Sequence, residues 1–105
     1  MRLTEKLKID NREITVKELT MAEIRNVMAA LEKQKGTPHV LDLLFADMPA
    51  AAVSAATDLS LKELEGDFTQ SEIKQIKDKV EELNPFFAKA LKRLAKLGRS
   101  ILEKQ

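Results

Sequence analysis

Residues 69–98 read TQSEIKQIKDKVEELNPFFAKALKRLAKLG, and the break at Asn84-Pro85 decides how the chain folds. Proline disfavours helical backbone at the residue before it, yet it fits the first turn of a new helix, where its missing N–H costs nothing. The stretch therefore predicts two helices, with Asn84 as N-cap of the second. The first begins at a capping box, Thr69 with Glu72. It carries a narrow apolar stripe of Ile73, Ile76, Val80 and Leu83, and the pairs Lys74/Asp78 and Lys77/Glu81 are expected on its exposed face.

The second helix has a different pattern. At about 100° per residue, one continuous apolar arc runs from Phe86 through Leu97, Ala90, Leu94, Phe87 and Leu91 to Ala88. The remaining strip holds Lys89, Lys92, Arg93, Lys96, Arg99, Ser100 and Glu103. A helix docked on one core needs an apolar arc of roughly 100°, and this arc is about twice as wide. It therefore predicts more than one neighbour. Either the chain's own core covers the whole arc, or Phe86, Phe87, Leu91, Leu94 and Leu97 include a partner-binding face. The basic strip is then either a solvated surface or an electrostatic contact. Pairing of one edge of the arc with itself, in a homo-oligomer, is a third arrangement.

Toward the N-terminus, Leu7 and Ile9, then Ile14 and Val16, flank the turn-forming residues Asp10 and Asn11, which predicts a β-hairpin over 5–17. Two strands alone are marginal and need a helix to lie against. Leu19 is placed to provide a contact. A second capping box, Thr20 with Glu23, starts a helix at Met21 with a stripe of Met21, Ile24, Val27, Met28 and Leu31. Gly36 and Pro38 end it near Gln34. Residues 38–48 are apolar on nearly all sides and predict a short central helix, and Pro49 closes it or opens the next. Residues 50–56, AAAVSAA, favour a helix that another backbone can approach closely. Ser60 with Glu63 caps a brief turn over 61–65 that ends at Gly66. The expected fold is one α+β domain, mainly α, with a short N-terminal hairpin followed by four to five helices.

Composition narrows the class. In 105 residues, 44% hydrophobic and 33% charged, there is material for one modest core of a globular chain. Without cysteine, disulfides, thiolate metal sites and thiol nucleophiles are excluded. The first ten residues, MRLTEKLKID, carry charges throughout and do not resemble a secretory signal. No apolar run reaches the roughly 18 residues of a membrane span. The net charge of +1 hides a division: 12 Lys/Arg against 16 Asp/Glu before Asn84, net −4, and 6 against 1 from Asn84 onward, net +5. A basic helix is attached to an acidic body.

Motifs for catalysis are missing. His39 stands alone beside Pro38 and has no second His or Cys with which to hold a metal. Lys35-Gly36-Thr37 lacks the order and first glycine of a phosphate loop. Asp42, Asp47 and Asp58 are scattered, and the acids around Gly66 lack the alternation of a calcium loop. No cofactor or metal is expected. Residues 61–83 imitate a helix-turn-helix, with Thr69, Gln70, Ser71 and Lys74 where bases would be met. The span from Glu72 to Leu83 nevertheless has net charge −1, which phosphate repels. A small DNA-binding regulator with this helix-turn-helix-like element at 61–83 is the alternative to a protein-binding function.

Two segments together resemble a known family. Residues 14–24, ITVKELTMAEI, look like the "V-x-E-L-T-x-A-E" start of the small tail assembly chaperones of Mu-like contractile-tailed phages and prophages. Thr57-Asp58-Leu59-Ser60, Ser71-Glu72-Ile73 and Glu82-Leu83-Asn84-Pro85-Phe86-Phe87, followed by Arg93-Leu94 and Leu97-Gly98, look like its later half. Order and spacing agree over residues 14–98. The resemblance implies a non-enzymatic chaperone that coats the apolar, helical tape-measure protein in the host cytoplasm until tail-tube subunits polymerise around it, and that is absent from the mature virion. It also implies that a longer, frameshifted product recruits the tube protein.

Overall fold

The computed structural model describes residues 2–33 and 48–103, with side chains through Leu94 and at Lys96. Two strands, β1 (Thr4–Ile9) and β2 (Arg12–Lys17), are followed by five helices: α1 (Met21–Lys33), α2 (Ala50–Ala55), α3 (Leu61–Gly66), α4 (Gln70–Leu83) and α5 (Pro85–Glu103). The chain is α+β and mainly α. The helix expected over 38–48, the loop before it and His39 lie outside the described residues. Met48 is described, and it is fully buried.

The hairpin forms because Asp10 takes a left-handed φ of 54°, a conformation that Asp and Asn tolerate better than most residues. The strands pair antiparallel, Leu7 opposite Ile14 and Glu5 opposite Val16. Alternation along β2 then sends Ile14 and Val16 to the interior, each with no exposed surface. The outer edge of β2 is partly covered. The N–H of Lys17 donates to the carbonyl of Ala56 at 2.8 Å, and Val16 bridges to Thr57 just after α2.

All three capping boxes form. At Thr20/Glu23, Ser60/Glu63 and Thr69/Glu72, the hydroxyl accepts from the glutamate N–H while the carboxylate accepts from the backbone N–H of the cap residue. Each satisfies two otherwise orphaned donors at a helix start. Pro49 opens α2, standing just before its first residue in an extended conformation.

Among the described elements, helix α4 is the centre of the packing. It lies against both strands, α2 and α5, and its stripe of Ile73, Ile76, Val80 and Leu83 is buried. Lys77 differs from expectation: it is buried, not exposed, because position 77 lies between Ile73 and Val80 on the inward face. Its ammonium pairs with Glu81 at 3.0 Å, with side-chain exposures of only 11% and 19%. Lys74 and Asp78 form the exposed pair the spacing predicts, at 2.9 Å. On α1 the expected stripe holds for Val27, which is buried, and for Ile24, Met28 and Leu31, which pack against the core. Met21 departs from it and is 80% exposed.

Asn84 also differs from expectation. Its carbonyl accepts the first bond of α5, from Ala88 at 2.9 Å, but its side chain does not cap that helix. The carboxamide turns instead toward the end of the hairpin. Its oxygen accepts from Leu19 N–H at 2.7 Å, and its nitrogen donates to the carbonyls of Val80 at 2.9 Å and Lys17 at 3.1 Å. With the group buried, these partners outweigh a local cap.

Candidate functional site

The apolar arc of α5 is divided lengthwise. Phe87, Ala88 and Leu91 are buried, and among the described elements α5 packs on α4; Phe87 and Leu91 are 6% and 5% exposed. They are core residues, so the expectation that they belong to a free partner-binding face is corrected. Phe86 is 85% exposed and Leu94 48%, with the half-buried Ala90 between them. Spaced i, i+4 and i+8, these three form a strip along one side of the helix. Leu97 and Arg99 lie on helical backbone, and their side chains are outside the described part.

At the start of α5 the strip opens into a groove of about 340 Å³. Leu3, Met21 and Phe86 stand at its mouth, over Leu19, Ile24, Leu83 and Phe87. Leu3, Met21 and Phe86 are three of the five large apolar side chains left exposed in the described chain, and Leu94 is a fourth. Large side chains scattered singly over a surface need no explanation, but a contiguous cluster does. Position 86 was legible in the sequence as part of the arc. Leu3 and Met21 were not, because tertiary contacts, the one from Asn84 to the end of the hairpin among them, bring them beside α5.

Charge is distributed unevenly along the site. Glu18 and Glu82 line the groove. Farther along α5, Lys89, Arg93 and Lys96 are exposed and have no ion-pair partner among the described residues. Lys92, on the same basic strip, is drawn toward Glu81 at 3.9 Å.

A second groove, about 360 Å³, lies between α1 and α2 and is lined by Val27, Ala30, Ala51, Ala55 and Leu61 with Glu23, Asn26 and Ser54. Its one acid is already engaged. Glu23 accepts from Thr20 N–H and pairs with Arg2 and Lys17, and the backbone bond from Thr20, followed by the Lys17 contact, lowers its pKa from 4.5 to about 2.

On the helix-turn-helix face, Thr69 is tied to Glu72 within the capping box, and Lys74 to Asp78. Helix α3 leans on α2 and on Arg12, whose guanidinium pairs with Glu63 and Asp67 and lies 5.1 Å from the Phe68 ring centre. Among the described residues no three His, Asp or Glu side chains converge as a metal site would require, and no helix is long and apolar enough to cross a membrane. No protein-family model matches the chain, nor does any curated protein or any solved structure.

Proposed function

We propose that the chain is a phage tail assembly chaperone that holds helical segments of a tape-measure protein on the open half of α5. The observation that carries this is the exposure of Phe86 and Leu94 on a helix whose other apolar half, Phe87 and Leu91, anchors it to the core. A helix-in-groove site needs a rigid support, apolar anchors at helical spacing and a surface open enough to release its client. The strip supplies the anchors and the groove with Met21 adds an adaptable side chain, which suits clients of varied sequence. The resemblance over residues 14–98 names the client. Action in the host cytoplasm before the virion is complete, and recruitment of tail-tube protein by a longer product of the same gene, belong to the same proposal. Function by binding needs no catalytic group and no cofactor.

The test is co-expression of the chain with overlapping fragments of a phage tape-measure protein. Retention of a fragment through a high-salt wash supports the proposal, because apolar contacts persist where phosphate-backbone contacts weaken steeply. If no fragment is retained while duplex DNA binds with a steep salt dependence, the chain is a regulator and not a chaperone.

A further inference from the structure

We infer that the α5 strip takes an amphipathic helix whose apolar stripe is bordered by carboxylates on one side, where it faces Lys89, Arg93 and Lys96. This rests on the chaperone reading and specifies which client segments that surface accepts.

The chain's own acids satisfy many of its cations. Arg2, Lys6, Arg12, Lys17, Lys74 and Lys79 each pair with a carboxylate of the fold. Lys89, Arg93 and Lys96 do not. Although Lys8, Arg25, Lys33 and Lys62 are also without an ion pair among the described residues, the three on α5, at spacings i, i+4 and i+7, run beside Phe86, Ala90 and Leu94. The other border of the strip is closed by the body, because Phe87 and Leu91 are buried there. A helix lying on the strip therefore meets cations along one flank only. At the groove it meets Glu18, beside a Glu82 already paired with Lys79 and with no cation among the described lining residues. Its carboxylates therefore belong opposite α5 and not at the end that reaches Met21.

Two other occupants fit the charges less well. A flat anionic membrane pressed on Phe86 also meets the carboxylate of Glu18. A second copy, paired strip to strip about Ala90, brings Lys89 and Arg93 against their counterparts.

Two fluorescent helical peptides with the same Leu/Ala stripe test the rule on the full chain by anisotropy, one bordered by Glu and the other by Lys. The Glu peptide is expected to bind about tenfold more tightly or better, with the gap closing as salt is raised. The triple variant Lys89→Glu, Arg93→Glu, Lys96→Glu is expected to reverse the order. Equal affinities, an order the variant does not reverse, binding only to phosphatidylglycerol vesicles, or a dimer that excludes both peptides would overturn the inference. Retention of a tape-measure fragment with no discrimination between the peptides removes the charge rule and leaves the chaperone reading standing. Discrimination with no fragment retained does the opposite.

Discussion

The side-chain oxygen of Asn84 accepts a 2.7 Å hydrogen bond from the backbone N–H of Leu19, joining the break between α4 and α5 to the exit of the hairpin. The same carboxamide donates to Lys17 and Val80. This contact sets Phe86 beside Met21 and Leu3, so the groove depends on it. Asn84→Ala leaves a buried N–H and two carbonyls without these partners and is expected to cost about 2–3 kcal/mol, read from urea unfolding. Asn84→Asp keeps the acceptor but turns a carboxylate toward two carbonyls, and is expected to be no better at neutral pH.

The two halves of the α5 arc should respond differently to the same substitution. Phe87→Asp and Leu91→Asp bury a charge in the core and are expected to unfold the domain, a loss of more than about 3 kcal/mol. Phe86→Asp and Leu94→Asp act on exposed positions and are expected to change stability by about 0.5 kcal/mol or less while releasing the client. Thermal melts and pull-downs on the same four variants separate the outcomes.

Glu23 gives a pH signature. Its folded pKa, about 2, lies below the ordinary 4.5, so the carboxylate contributes stability that is complete above about 4.5 and is lost as pH falls toward 2. The side chain is partly exposed, and solvent screening reduces the contribution to about 1 kcal/mol. The stability difference between wild type and Glu23→Gln is expected to shrink across that window in urea melts at stepped pH. A constant difference would mean that the shape of the capping box matters and its charge does not.

Arg12 links the hairpin to α3 through Glu63, Asp67 and the face of Phe68. Arg12→Ala is expected to raise amide hydrogen exchange across Leu61–Gly66, a six-residue helix with a single buried side chain, Leu64, and to leave α4 protected.

Elements whose signals are local were legible in the sequence. Each capping box needs only residues three apart, the Asp10-Asn11 turn needs two, and Pro85 by itself enforces the break. What depends on tertiary partners was not legible. Periodicity gave the width of the α5 arc but not the line along which the body divides it, so Phe87 and Leu91 read the same as Phe86 and Leu94. Lys77 reads as a surface pair because its charge outweighs its position in any pattern of polarity, although that position is inward. Asn84 reads as a cap because its better partners are 65 and 67 residues away. The groove is built from Leu3, Met21 and Phe86, which no sequence window contains together.

The central claim is that the strip from Phe86 to Leu94, with the groove at its start, holds a client helix. It is tested most directly by titrating the isotopically labelled chain with a helical tape-measure peptide and mapping the shifted amide and methyl signals. Shifts centred on Leu3, Met21, Phe86, Ala90 and Leu94, with Phe87 and Leu91 remaining in the core, are the predicted result. Shifts centred on Val27, Ala30, Ala51 and Ala55, or on the face of α4 that carries Lys74 and Asp78, would contradict it.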